Sequence, residues 1–339
     1  MVEHGTTTSV VAAGVAMTGT STPPSPNGHI RVASVAKAFS GATALALVTH
    51  HALSLDDTIG RRLPDLPKAW DSVTLGELLH HTSGIPDFSA CPGFLQAVQA
   101  SPENPPPPEQ LLSYVNASED PPYCNQAGKP LEFTPGSKYR YSNSDNVIVG
   151  LMAQVAGNGP YSDVLSREVL RPLGLSQTSL PSSTLIPEPY LHGYVANAPN
   201  PPEDVSQLIA AGWSWASGGI VSTPADANRF VRAYVKGTLF DKAARARQFK
   251  FVEGTSEPPG PGTNAAGLAI FRYQTSCGTV YGHTGNTPGY TQFIAASSNG
   301  ANSVSVTVSE QITPKTNPDL FTQLRNVFGL AVCAAVKGP

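Results

Sequence analysis

Charge is scarce in this 339-residue chain: Lys, Arg, Asp and Glu make up 13% of it and nearly cancel, leaving a net charge of −3. Nucleic acid and anionic membrane surfaces are therefore not expected partners. Long apolar runs are missing too, and none reaches the ~18 residues that a membrane-spanning helix needs. Cysteine is limited to four residues, too few to read as a disulfide scaffold. Cys91 and Cys124 bracket a proline-rich stretch, Cys277 and Cys333 lie toward the C-terminus, and both buried thiols and disulfides fit that count. No C-x-x-C or His/Cys cluster marks a structural metal. A G-x-S-x-G elbow, an H-E-x-x-H helix and a Walker-type phosphate loop are also absent, so no metal and no cofactor is expected. Met1 opens directly in strand-like sequence, with no export signal in front of it.

What is present describes a folded globular protein. Apolar residues make up 40% of the chain, and 32 prolines and 31 glycines punctuate long connections. Its length suggests about two domains or one large α/β unit. Ser9 to Ala16 reads as a strand, and a helix is expected from Ser34 to about Thr49, with Phe39, Ala42, Leu45, Ala46 and Val48 inward. Further helices are expected over Thr74–His81, Asp145–Ala156 (Val147, Leu151 and Val155 buried, Gly157 as C-cap), Tyr161–Leu170 and Asp226–Val235. The Cys91–Phe133 stretch, with four prolines at Pro105 to Pro108, reads as a loop-heavy insertion bordering a cleft. Ala210–Thr223 looks strand-like and glycine-rich. Strands follow at Thr279–His283, Tyr290–Ala296 and Ser303–Ser309. The last helix is capped by Asn317 and Pro318, with Leu320, Leu324, Val327 and Ala331 inward. This order fits an α/β (α+β) architecture, in which both chain ends build an antiparallel sheet flanked by helices. The expected division is 1–55 with 208–339 as the sheet domain and 56–207 as an inserted helical domain, the active site lying between them.

Three short motifs carry the chemistry. Ser34 and Lys37, in S-V-A-K, stand three apart where a polar loop becomes an Ala-rich helix, so their side chains share a face. A desolvated lysine there can serve as the base a serine nucleophile needs. Tyr141-Ser142-Asn143 precedes a helix, where a phenol can relay a proton and an amide can orient a carbonyl. Tyr114-Val115-Asn116 also fits that pattern but reads as the end of an ordinary helix, and Ser144-Asp145-Asn146 overlaps as a second-ranked match. His283-Thr284-Gly285 ends a strand, where a glycine would let a substrate backbone lie close.

In this order S-V-A-K, Y-S-N and H-T-G resemble the penicillin-recognising serine hydrolases: D-Ala-D-Ala carboxypeptidases, class C β-lactamases and related esterases and transacylases. L-L-H-H-T-S-G-I-P-D (Leu78 to Asp87), Y-R-Y-S-N-S-D-N-V-I-V-G-L-M (Tyr139 to Met152) and S-C-G-T-V-Y-G-H-T-G (Ser276 to Gly285) extend the likeness over nearly the whole chain. The H-T-G form is most similar to secreted streptomycete DD-carboxypeptidases. The resemblance implies a β-lactamase/transpeptidase-like fold with an inserted all-helical domain, and a Cys277–Cys333 disulfide. It implies Ser34 as nucleophile, Lys37 as proton acceptor and Tyr141 as the relay to the leaving group. Asn143 would bind the acyl amide, His283 and Thr284 the substrate tail, and Trp213 would wall the cleft. The backbone N–H groups of Ser34 and Asn286 would form the oxyanion hole.

Two departures bear on the substrate. Close DD-carboxypeptidases place an arginine on the preceding strand to grip a carboxylate; here that position is Phe271, with Arg272 one residue out of register and so on the opposite face. Most of the family's first helix and first strand would also lie before Met1. The activity implied is D-Ala-D-Ala carboxypeptidase-like, on a small peptide, ester or β-lactam-like substrate. The alternatives are an esterase, a β-lactamase or a biosynthetic transacylase on the same scaffold, and, from another class, a non-catalytic β-lactam-binding protein. A monomer is expected, exported if the cysteines are paired and cytoplasmic if they are reduced.

Overall fold

A computed structural model describes residues 1–116, 129–196, 199–315 and 317–338; Cys124 lies outside them. Both chain ends enter one antiparallel sheet. Its strands are β1 (Val2–His4), β2 (Thr7–Ser9), β3 (Val252–Glu253), β4 (Thr263–Ala266), β5 (Phe271–Thr275), β6 (Gly278–Thr287), β7 (Tyr290–Ala296) and β8 (Asn302–Val308). They lie in the order β2-β1-β8-β7-β6-β5-β4-β3. The β6–β8 meander follows the expected alternation. His283 pairs with Ile294 and Thr284 with Phe293, so consecutive β6 side chains leave the sheet on opposite faces.

Five helices organise the rest: α1 (Ala36–Thr49), α2 (Pro92–Ala100), α3 (Asn143–Gly157), α4 (Pro224–Lys236) and α5 (Pro318–Lys337). On one face of the sheet α5 buries Phe321, Leu324, Phe328, Val332 and Ala335 against Phe271, Tyr273, Val280 and Phe293. On the other face α1 and α4 pack against Ile294 and Ala296, within a cluster that continues unbroken into α3 and the helices around it. Every residue of α1 from Ala36 to Leu47 is buried. Its Ala-rich composition makes this possible, because small side chains let neighbouring elements approach on all sides. A capping box holds the short helix Leu75–Leu79, where Thr74 and Glu77 exchange hydrogen bonds.

Several expectations are corrected. Ser9–Ala16 is not a strand: the N-terminal hairpin spans only β1 and β2, and Val10 and Val11 are 47% and 88% exposed. An apolar run without a partner strand has no ladder to join. Ala210–Thr223 is mostly helical turns (Ala211–Trp213, Trp215–Gly218), and only Val221–Ser222 pairs, with Ile30–Arg31. In α3, Val155 is 53% exposed, and Asn158, in the left-handed region, caps the helix in place of Gly157. In α5 Leu324 is buried, and Leu320 and Ala331 pack partly buried against the same cluster, but Val327 is 48% exposed, and the buried stripe runs through Phe321, Phe328 and Val332 one residue on. The insertion after Cys91 is richer in helix than expected, carrying α2, Pro108–Leu111 and Ser113–Asn116.

Cys277 and Cys333 form a disulfide that ties the turn before β6 to α5. Cys91 is also disulfide-bonded. Among the described residues, no helix is long and apolar enough to cross a membrane.

Candidate active site

Ser34 sits in a 3-10 turn, Ala33–Val35, that runs straight into α1. Ala33 before it has φ +50°, a left-handed backbone that costs a residue with a Cβ about 1–2 kcal/mol. Gly285 of β6 passes this turn at backbone distance. A Cβ there would come within 2.3 Å of the Val32 carbonyl oxygen and 3.2 Å of the Ser34 nitrogen. Only glycine permits that approach, and it brings Asn286 up beside the serine.

Lys37 is fully buried. Its Nζ donates to Ser34 Oγ (3.1 Å), Asn143 Oδ1 (2.6 Å) and the Ser217 carbonyl (2.8 Å), one acceptor for each N–H of an ammonium. Burial nevertheless pulls its pKa from 10.5 to about 7, against the opposing charges of Asp87, Glu257 and Asp145. The amine is thus poised between base and ammonium near neutrality, as proton exchange with a hydroxyl requires.

Tyr141 lies under Lys37, with Nζ 5.0 Å from its ring centre. Burial drives its phenol well above the usual range, opposed by the neighbouring Ser34 hydroxyl. The hydroxyl forms no hydrogen bond of full geometry, which leaves it available to a reacting group. Its ring is flanked by two imidazoles, His81 at 4.6 Å and His283 at 6.4 Å between centres. Burial, reinforced by the Lys37 charge, lowers both histidines to about 3, so His283 is a neutral group here and not a cation. His81 Nδ1 lies 2.9 Å from Asp145 Oδ2, and Ser83 donates to the other carboxylate oxygen at 2.5 Å.

Asn143 opens α3, with both ends of its amide engaged. While Oδ1 accepts from Lys37, Nδ2 donates to Asp87 Oδ2 (3.0 Å) and Ser89 Oγ (2.8 Å). Thr284 is buried, and its hydroxyl donates to the Pro258 carbonyl at 2.6 Å. Trp213 is both core and wall: 4% exposed, donating to the Ser101 and Pro102 carbonyls, and packed edge-on to Phe94. The other matches to the tyrosine motif do not reach Ser34. Tyr114 packs on Phe94, while Ser144 and Asn146 brace the framework through Pro86 and Ser40. Arg272 pairs with Tyr281 and stacks on Phe251, whereas the Phe271 ring meets His283 at 5.0 Å. No arginine on β5 reaches the cleft.

Beside Ser34 lies a cavity of about 480 Å³, lined by Asn143, Asn286 and an apolar wall of Phe88, Phe94, Ile209 and Trp213. The expected border function of the proline-rich insertion is seen in α2, which supplies Phe94, Leu95 and Val98. The motifs alone did not single out Asp87, Ser89, Ser217 or His81, and they offered Asp145 only as part of the second-ranked Ser144-Asp145-Asn146 match. Asp87 and His81 do fall inside the L-L-H-H-T-S-G-I-P-D stretch, but Ser217 acts through its carbonyl, which leaves no side-chain signature.

Comparison with known proteins agrees with this geometry. Residues 1–327 match the Beta-lactamase family. Penicillin-binding protein 4* of Bacillus subtilis (strain 168) is 25% identical over 277 residues, covering 78% of this chain and 57% of that protein. The D-alanyl-D-alanine-carboxypeptidase/endopeptidase AmpH of Escherichia coli (strain K12) is 24% identical over 222 residues, covering 64% and 51%. The chain therefore spans little more than half the length of these relatives. Among solved structures, a D-stereospecific amidohydrolase from Streptomyces sp. superposes with a TM-score of 0.73 at 26% identity, covering 84% of this chain and 83% of that one. Matched along nearly its whole length, the chain belongs to the Beta-lactamase family of penicillin-recognising serine hydrolases.

Proposed function

We propose that this serine hydrolase cleaves amides next to a D-configured residue through an acyl-enzyme on Ser34. The observation that carries the proposal is the Ser34–Lys37–Asn143 hydrogen-bonded chain, with its lysine brought to about 7. Neutral Lys37 takes the Ser34 proton as Oγ attacks the carbonyl, and the resulting ammonium keeps its three acceptors. Backbone N–H groups of Ser34 and Asn286 hold the oxyanion. Tyr141 then gives its phenolic proton to the departing nitrogen and is reprotonated by the Lys37 ammonium. The proton taken from Ser34 thus leaves with the amine as the C–N bond breaks, and Lys37 is neutral again; water later releases the acyl group by the reverse route.

The D-Ala-D-Ala carboxypeptidase reading is one form of this activity, and the AmpH relative supports it. An amidase for unblocked D-amino acid amides is the form that the side chains favour. Arg272 stacks on Phe251 and does not reach the cleft to grip a terminal carboxylate, and the Asn143 amide, which would bind the acyl amide, is already engaged by Asp87. Asp87 lies behind that amide and outside the cavity lining, so its charge favours a substrate ammonium only through Asn143. The second reading, an esterase or transacylase, rests on the apolar wall of Phe88, Phe94 and Trp213.

Intact mass after brief incubation with benzylpenicillin, run beside Ser34→Ala, tests the nucleophile. A persistent adduct on the unsubstituted protein alone supports a penicillin-recognising acyl-enzyme; a hydrolysed drug without adduct makes it a β-lactamase. Release of ammonia from D-amino acid amides, of D-alanine from D-Ala-D-Ala peptides, and turnover of a short ester and a chromogenic cephalosporin then separate the readings. The paired cysteines fit an extracytoplasmic protein, and four titratable thiols in the unreduced, unfolded chain would defeat that placement.

A further inference from the structure

Two hydrogen bonds fasten the segment between β3 and β4 across the Tyr141 side of the site. Tyr139 donates from its hydroxyl to the Thr255 carbonyl at 2.6 Å, and Thr284 donates to the Pro258 carbonyl at 2.6 Å. Between them Ser256, fully buried, bonds the Tyr273 hydroxyl at 3.0 Å. The segment thus uses the hydroxyl of the H-T-G threonine and lies over the edge of β6. What remains on that side is filled: Tyr141 is 6% exposed and His283 and Thr284 are 0% exposed. None of these three residues lines the cavity beside Ser34, whose walls come from the Asn143 and Trp213 side and from Asn286, Thr287 and Pro288 at the end of β6. A larger groove of about 850 Å³ does exist near Tyr139, Gly254 and Thr255, but neither Ser34, Lys37, Tyr141 nor Thr284 contributes to it. The segment walls that groove through Gly254, Thr255 and Pro259.

The departing nitrogen must leave where Tyr141 can protonate it. Resting on the acyl-enzyme reading above, we propose that the segment 254–260 restricts the leaving-group side to small groups, ammonia or a short amine, while the 480 Å³ cavity takes the bulk of the acyl part. Specificity for leaving-group size would then be set by a segment that touches no reacting atom.

The test is a series sharing one D-phenylalanyl acyl group: the primary amide, the methylamide, the anilide and the D-alanine dipeptide. We expect kcat/KM to fall by about 10- to 100-fold from the primary amide to the bulky members, the cost of one misfitting group in a closed pocket. Tyr139→Phe removes one fastening without touching the catalytic groups. It should raise the dipeptide-to-amide ratio several-fold and leave primary-amide turnover near its original value. Ser256→Gly serves as a second release should Tyr139→Phe fold poorly. A flat series in the unsubstituted protein, or a ratio unmoved by either release, overturns the restriction. Labelling of Ser34 by a fluorophosphonate, whose leaving group is fluoride, reports separately on the nucleophile. Failure of that labelling would count against the acyl-enzyme reading itself.

Discussion

The two faces of the sheet open into apolar clusters of unequal size, the larger on the α1 side, and they differ in what else they bury. Against α5, the cluster around Phe293 and Phe328 holds no titratable group except tyrosines, and its polar contacts stay local, as between Ser256 and Tyr273. On the α1 face Lys37, His81, Asp145 and His283 are all withdrawn from water, and each meets a hydrogen-bonding partner. Burying such groups costs free energy that apolar replacements would avoid. The α1 face therefore sets that cost against its larger apolar cluster and gains a lysine near neutral pKa, a cost the α5 face does not carry. Tyr141 is where the two meet: its ring belongs to the α5-side cluster and its hydroxyl to the site.

That contrast can be broken most sharply at Ser34. Ser34→Ala is expected to lower kcat on the order of 10⁶-fold, with a thermal unfolding midpoint close to the original. A large drop in that midpoint would show that the α1 face depends on the serine for its structure. Phe328→Ala should do the opposite, costing about 3–5 kcal/mol of stability in urea titrations while kcat under native conditions changes little. Replacing Cys277 and Cys333 together by Ser should cost about 2–4 kcal/mol, again with little effect on kcat/KM. A collapse of activity without loss of stability would mean that the disulfide positions His283 more directly than the contacts indicate.

The smallest effect is the most informative about charge. If neutral Lys37 is the base, kcat/KM rises with pH through about 7. No basic limb should follow from Tyr141, since burial holds its phenol well above the usual range. Asp87 is first among the charges that favour the Lys37 ammonium, so Asp87→Asn should move the acid limb to lower pH. It should also narrow the preference for free-ammonium substrates over N-acetylated ones. A limb that moves to higher pH would assign it to another group.

How much of this was legible in the sequence varies with the physics behind each part. Ser34, Lys37 and Tyr141 could be read because the chemistry demands particular side chains at fixed helical and turn spacing. Phe271 and Arg272 could be placed on opposite faces because strand side chains alternate strictly, and the β5–β6 register has them at consecutive positions, against Gly282 and Tyr281. The phase of α5 could not be fixed: Leu320–Phe321, Val327–Phe328 and Ala331–Val332 are adjacent apolar pairs, so two stripes offset by one residue fit equally well. Packing against Phe293 selects the stripe with the aromatic residues. The Val/Ala run after Ser9 shows a similar limit, because strand character needs a neighbour and composition does not reveal one. Asp87 and the Ser217 carbonyl became visible only when distant segments met at Lys37.

The burial of α1 on all sides has a mechanical consequence. A helix enclosed from Ala36 to Leu47 cannot tilt or slide without opening packed contacts both on the sheet and in the helices around α3, so Ser34, the proposed nucleophile, rides at the start of a helix held on all sides. Substrate entry and product exit must then be accommodated by the surrounding segments, while the distance between Ser34 and Lys37 stays constant through the cycle. Hydrogen–deuterium exchange would express this as a gradient: slowest at the α1 amides and faster in the 254–260 segment, which is held by a few hydrogen bonds and not enclosed on all sides.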